Sequence, residues 1–325
     1  MSCPSLNELP APPSGRTGWP WTEESARLPD EIAGADSLPV ITVITPSYNQ
    51  GNYLEETIRS VLLQGYPKIE YMVLDGGSQD QSPEILKKYS PWLSYWVSKP
   101  DAGQSDAINR GLNKATGQFA TWINSDDLLC KNALVEHAIR FGFDKQTVYL
   151  GICVYIDEIG NVLSEHCGRV KSLEDLLHVE TVWRAGGQIV QPEVIFPREL
   201  ALSVGGLSRE NHFTMDYELW GKLLLAGATF MYTGIPFGMF REHAAQKTHD
   251  PDRITDSLLK TAAELIQLSR LSEESKRNRL AELTAYKAVF QESSWTATGR
   301  LARAGLPRGI VTRLRNLKAI LHKAI

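Results

Sequence analysis

What this chain has little of sets the first limits on what it does. None of its 325 residues belongs to a run of about 18 uninterrupted apolar positions, so no transmembrane helix is expected. The first residues lack the apolar centre of a secretory leader. The four cysteines, Cys3, Cys130, Cys153 and Cys167, form no Cys-x-x-Cys pair and no Cys/His zinc spacing. They read as reduced thiols in a cytoplasmic protein. An excess of positive charge is missing too: the formal net charge is −4, and no nucleic-acid partner is expected.

What is present suits one large α/β core with appendages, since 42% of residues are hydrophobic and 22% charged. Residues 1–37 are rich in Pro, Ser and Gly and are expected as an irregular extension, with Trp19 and Trp21 as anchors on a neighbouring surface. Residues 38–250 form the main domain. Residues 251–325 are expected as a helical extension that ends in a basic tail. From 293 to 325 there is no Asp or Glu, while Arg300, Arg303, Arg308, Arg313, Arg315, Lys318 and Lys323 alternate with apolar residues. Two readings stand: peripheral contact with the inner face of a membrane, or a docked helix with a solvated basic face.

The main domain opens on Val40-Ile41-Thr42-Val43-Ile44-Thr45, whose β-branched residues predict a buried parallel strand. A helix over 53–64, a strand over 69–74, a helix over 82–89, a strand over 93–98, a helix over 107–114 and a strand over 119–123 follow. Such alternation predicts a doubly wound, mainly parallel sheet with right-handed crossovers. A helix is expected over 128–139. Beyond it the pattern is mixed, with strands over 148–155, 161–163 and 186–196 and helices over 172–177 and 198–204. Another helix opens at His212-Phe213-Thr214-Met215-Asp216.

Ligands bind such sheets beyond the carboxyl ends of the strands. Polar clusters follow Thr45, Leu74, Ser98 and Ile123, all at that edge. Tyr48 offers a ring to stack on a base, and Asp75 an acceptor for an imide N–H, although Asp75-Gly76-Gly77-Ser78 also suits a simple tight turn. The segment from Lys99 to Asp106 precedes a helix whose N-terminus favours an anion such as diphosphate. In Asn124-Ser125-Asp126-Asp127, adjacent carboxylates ending a buried strand repel one another unless a cation lies between them. Mg²⁺ or Mn²⁺ suits their oxygens, and His243 is a candidate third ligand. The alternative is that Asp126 only caps a helix. Asp216 reads either as a first-turn acid favoured by the helix dipole or as a general base.

Together these residues resemble family 2 glycosyltransferases of the GT-A fold, particularly bacterial enzymes of cell-surface polysaccharide or glycolipid synthesis. The matching motifs are Thr45-Pro46-Ser47-Tyr48-Asn49, Asp75-Gly76-Gly77-Ser78, Asp101-Ala102-Gly103-Gln104-Ser105-Asp106-Ala107-Ile108-Asn109, Asn124-Ser125-Asp126-Asp127 and Met215-Asp216-Tyr217-Glu218-Leu219-Trp220. They occur in the family's order, between about residues 39 and 248.

The resemblance implies a GT-A mixed sheet and inverting transfer of one sugar from a nucleotide-diphosphate donor, with UDP favoured. A glycan or lipid-linked molecule would be the acceptor. Tyr48 and Asp75 would hold the nucleobase, with Pro46 shaping the turn between them and Asn49 also on the nucleotide-donor side. Asp101, Gln104, Asn109, Ser125 and Asp126 would line the rest of the donor. Asp126 and Asp127 would bind the metal with His243, Asp216 would be the base, and Gln191 and Glu218 would lie on the acceptor side. Two departures stand out. Asn124 replaces the first metal-motif aspartate, and Met215 replaces the Glu that often precedes the base. A Gln-x-x-Arg-Trp motif of processive synthases is absent, which favours single addition. A nucleotidyltransferase would need a Gly-rich basic loop where Pro46-Ser47-Tyr48-Asn49 stands. A non-catalytic nucleotide-sugar-binding protein is the competing class.

Overall fold

The computed structural model describes residues 3–33, 38–244, 246 and 250–294. An irregular N-terminal segment ends in one helical turn, α1 (Asp30–Ala33). The β-branched run then forms β1 (Ile41–Ser47), buried along its whole length. Next in order are α2 (Gly51–Leu62), β2 (Ile69–Asp75), α3 (Ser82–Tyr89), β3 (Tyr95–Ser98), α4 (Gln104–Lys114) and β4 (Phe119–Trp122). The chain continues through β5 (Leu128–Leu129), α5 (Ala133–Arg140), β6 (Thr147–Ile156), β7 (Val162–His166), α6 (Leu173–Leu177), β8 (Val194–Pro197) and α7 (Arg198–Ser203). Last come α8 (Met215–Leu225), β9 (Thr229–Arg241), α9 (Pro251–Leu268) and α10 (Glu273–Ser294).

Among the described residues, nine strands form one sheet in the order β3-β2-β1-β4-β8-β6-β9-β5, with β7 joined to β6. The first four run parallel, as their helical crossovers require. The second half is mixed: β8 is antiparallel to β4 and β6, β5 and β7 are antiparallel to their partners, and β6 and β9 are parallel. α4 lies close on β1. A Cβ at Gly111 would stand 2.8 Å from Ile44 Cγ2, so glycine is what lets the helix approach.

Helix α2 frames the site. One face carries the apolar Leu54, Ile58, Val61 and Leu62 into the core. Another carries buried Glu56 and Ser60, four apart on one side of the helix, and buried Gln64 follows just past its end. Ser60 Oγ accepts the Leu129 N–H at 3.1 Å. Gln64 donates to the Cys130 carbonyl at 2.8 Å and accepts the Leu134 N–H at 3.1 Å. Thr57 Oγ1 reaches the carbonyls of Ser125 and Asp127 at 2.9 and 2.8 Å. The stretch after β4 is thus pinned to α2.

That pinning explains one difference from the sequence reading. Leu128 and Leu129 do not open a helix over 128–139; they pair with Met239 and Gly238 as β5. Both are buried, and the sheet satisfies their backbone where a helix would turn them out. Asn132, at φ 65°, then starts α5. Likewise, 186–196 is not one strand. Wide helical turns span Val179–Gly187, and only Val194–Pro197 joins the sheet. Pro192, which has no N–H for a ladder, stands just before it.

The N-terminal segment is irregular yet fastened. Arg59, on α2, is fully buried and donates to the carbonyls of Pro10, Pro20 and Trp21 at 2.9, 3.1 and 3.0 Å. Trp21 is buried, and Trp19 Nε1 donates to the Leu129 carbonyl at 3.0 Å.

The chain divides into two compact units, 1–265 and 266–325. The second contains α10; residues from 295 onward, which carry the basic tail and its expected membrane contact, lie outside the described residues. No helix among the described residues is long and apolar enough to cross a membrane.

Candidate active site

The carboxyl ends of β1 and β2 run into two turns that are bonded to each other. The Asn49 N–H donates to Ser78 Oγ at 2.7 Å, and Asn49 Oδ1 accepts the Gln79 N–H at 2.9 Å. The Gly51 N–H reaches Asp80 Oδ2 at 2.7 Å. Asn49 takes φ 52°, a conformation its short polar side chain tolerates. This crossing leaves the Tyr48 ring 62% exposed at the edge of the sheet, open to a flat ligand. Pro46 stays inside β1, opposite Leu74.

Asp75, expected to accept from a base, is buried and closes its own turn. It accepts the Ser78 N–H at 2.9 Å, Ser98 Oγ at 2.6 Å and also Ser78 Oγ. A carboxylate has about four acceptor positions, so three are engaged by protein. Asp101 Oδ1 accepts the Gly103 N–H at 2.8 Å, just ahead of α4. A Cβ at Gly76 would lie 3.2 Å from that oxygen, which sets Asp101 beside the second turn. Asn109, expected to line the donor, has its side-chain amide engaged by the backbone of Leu207. Its amide donates to the Leu207 carbonyl at 2.7 Å and its oxygen accepts the Leu207 N–H at 3.0 Å, fastening α4 to the segment before α8.

The aspartate pair divides its labour. Asp126 Oδ2 meets His243 Nε2 at 3.0 Å, with side chains 15% and 3% exposed. The His243 ring lies 4.9 Å from that of Tyr53. Asp127, expected as a second ligand, is buried with both oxygens engaged: Oδ1 accepts the Arg241 N–H at 2.9 Å and Oδ2 the Asn124 amide at 3.1 Å. Burial, with the charge of Asp126 beside it, pushes the Asp127 carboxyl well above the usual carboxylate range. Ser125 is buried, and its carbonyl goes to Thr57. Among the described residues, no three His, Cys, Asp or Glu side chains converge as a complete metal cage. One carboxylate and one imidazole fit Mn²⁺ or Mg²⁺ only where a ligand's phosphate oxygens complete the shell.

Asp216 begins α8, which lies beside α4 where Ser105 Oγ donates to Met215 Sδ at 2.8 Å. Its Oδ1 accepts the Tyr217 N–H at 2.8 Å. Crowding by protein pushes the carboxyl up to about 6, opposed by that N–H. A carboxyl with this affinity for protons is matched to general-base work near neutrality. Glu218 is engaged elsewhere, by Lys222 at 2.6 Å and Asn211 at 2.9 Å. Gln191 is buried, donates to the Trp122 carbonyl and accepts from Asn124.

Contacts link these segments in sequence: Met215 to Ser105, Gln104 to Asn124 at 2.7 Å, and Asn124 to Asp127. Reading the sequence missed Arg241 and Glu56, a buried pair at 2.9 Å that supports the aspartate loop. The one signal was a lone Arg closing an apolar strand run; nothing pointed to its partner 185 residues away.

The mixed sheet flanked by helices has the GT-A fold of solved glycosyltransferases. TarS 1–349 of S. aureus in complex with UDP has this fold, with a TM-score of 0.56 and 21% identity, covering 75% of this chain and 70% of that one. The mannosyltransferase PcManGT from Pyrobaculum calidifontis, in complex with GDP-Man and Mn²⁺, also gives 0.56 and 21%, covering 92% of this chain and 84% of that one. Residues 42–175 match the model of glycosyl transferase family 2. An uncharacterized glycosyltransferase of Rickettsia typhi is 29% identical over 223 residues, covering 65% of this chain and 66% of that protein. The match spans just under two thirds of that relative's own length.

Proposed function

We propose that the domain transfers one sugar, with inversion, from a nucleotide-diphosphate donor to a hydroxyl of a glycan or lipid-linked acceptor, using Mn²⁺ or Mg²⁺. The observation that carries this reading is the Asp126–His243 pair at the carboxyl edge of the sheet. It supplies two protein ligands and leaves the remaining positions to a diphosphate. Tyr48 stacks on the base, with UDP favoured, and Asp75 shapes the turn beneath it. Asp101 and Gln104 flank the donor at the start of α4. Asp216 takes the proton of the acceptor hydroxyl as its oxygen bonds to the anomeric carbon and the bond from that carbon to the diphosphate breaks. The metal, when bound, supplies positive charge to the leaving diphosphate. Single addition on the cytoplasmic side fits the chain, with the basic residues of 293–325 as a peripheral membrane contact.

Calorimetric titration with UDP, GDP and dTDP, each with and without Mn²⁺, tests the reading. Binding of one nucleotide that requires the metal is expected. Failure of all three under both conditions overturns it.

A further inference from the structure

Three side-chain amides meet at Asn124. Its Oδ1 accepts from Gln104 Nε2 at 2.7 Å, while its Nδ2 donates to Asp127 Oδ2 at 3.1 Å and to Gln191 Oε1 at 3.3 Å. Gln191 Nε2 in turn donates to the Trp122 carbonyl. The partners at the ends determine how every amide is turned. A backbone carbonyl only accepts, so Gln191 gives it hydrogens and shows Asn124 an oxygen. The Asp127 carboxyl, already facing the Arg241 N–H, takes the same Asn124 amide. Asn124 is left with its oxygen toward Gln104.

An aspartate at this position supplies no hydrogens. It would place oxygen against oxygen at both Asp127 and Gln191, beside a carboxyl that is already buried. Asparagine offers the acceptor and the two donors that the position requires. The contacts also join distant parts: Gln104 opens α4, Asp127 follows Asp126, and Gln191 stands ahead of β8.

We infer that Asn124 is a positioning residue of the transfer site, tying the first turn of α4 to the aspartate loop and to the Gln191 segment, and that it is not a metal ligand. This rests on the nucleotide-sugar reading of the site. Its role is to fix where the donor-side residues at the start of α4 stand relative to Asp126.

The test is UDP affinity in the presence of Mn²⁺ for the wild-type chain, Asn124→Ala, Gln104→Leu, the double variant and Asn124→Asp, with thermal unfolding of each. Each single deletion should weaken binding about tenfold, the scale for residues that support a metal site. The double should lose less than the product of the two single losses, because both singles remove the bond between these two side chains. Asn124→Asp should bind at least as poorly as Asn124→Ala although it adds a carboxylate. Binding by Asn124→Asp as tight as wild type, or tighter, would mark a ligand position and overturn the inference. So would losses that multiply in the double variant, or variants that bind as wild type does. If Asn124→Asp fails to fold, the Ala and Leu variants still decide. Should the wild-type chain itself bind no nucleotide with Mn²⁺, the reading of the site falls and this role falls with it.

Discussion

Arg241 Nη2 donates to Glu56 Oε2 at 2.9 Å in the interior, with the two side chains 1% and 8% exposed. The same guanidinium donates to the carbonyls of Asp126, Asp157 and Glu158, and lies 5.1 Å from the Tyr53 ring. One cation therefore joins α2, the end of β9, the aspartate loop and the turn after β6. Glu56→Ala leaves it buried without its counter-charge. The variant should lose about 3–5 kcal/mol of stability in urea unfolding. A loss under about 1 kcal/mol would show that the Arg241 charge is reached by water.

Asp216→Asn should lower transfer by about a hundredfold to ten-thousandfold, the range that a general base contributes. Nucleotide affinity should stay within about twofold, since the role proposed for the residue is on the acceptor. Transfer at the wild-type rate would remove Asp216 from the mechanism.

The pH profile follows from the same carboxyl. With its affinity for protons raised to about 6, Asp216 becomes an effective base only as pH climbs through that value. The rate constant for transfer should fall as pH drops below about 6. Stability runs the other way. The folded carboxyl binds its proton more readily than the unfolded one, so its contribution is greatest below the unfolded value near 3.8 and is lost as pH rises through about 6. Asp216→Asn should accordingly be more stable than wild type at pH 7, by roughly 1–3 kcal/mol in urea unfolding. A destabilised Asn variant would contradict this.

His243→Ala removes one of the two side chains proposed to hold the metal. Mn²⁺-dependent UDP binding should weaken by about tenfold to a hundredfold or more, judged by the effect of residues one shell further out. Binding measured without metal should change little. Equal losses in both conditions would assign His243 a structural task alone.

His137 gives a stability test away from the site. Its ring is buried among Phe141, Phe143 and Tyr149, and burial lowers its affinity for protons to about 4. The unfolded histidine titrates near 6.5, so stability is complete above that value and is lost as pH falls from about 6.5 toward 4. His137→Phe should flatten that part of the pH–stability curve relative to wild type, by up to roughly 3 kcal/mol near pH 4. Parallel curves for the two proteins would refute it.

The parallel half of the fold was legible because β1, β2 and β4 are short apolar runs ending in polar turns, a pattern set by neighbours in the chain. Asp126, His243 and Asp216 were singled out from local motifs, and the fold brings Asp126 and His243 together across 117 residues. The roles of Asp127, Asp75 and Asn109 were not legible. Each depends on a partner whose position only the fold supplies: Arg241 for Asp127, Ser98 for Asp75, Leu207 for Asn109. Leu128 and Leu129 fail as a helix for the same reason, since their strand partners lie 111 and 109 residues further on. Arg59 and Glu56 sit in a helix whose apolar period is plain, and that period hides the buried polar stripe beside it.

That stripe bears on how a ligand would be met. Ser60 and Gln64, with Thr57, hold the chain from Ser125 to Leu134 by its own backbone, and Glu56 acts on it through Arg241. The peptide groups that set Asp126 in place are therefore bonded before any nucleotide arrives. Association need not freeze a wandering loop there, and the entropy cost of doing so, about 1–2 kcal/mol for each residue ordered, has already been met in folding. The aspartate loop would meet its proposed ligand preorganised.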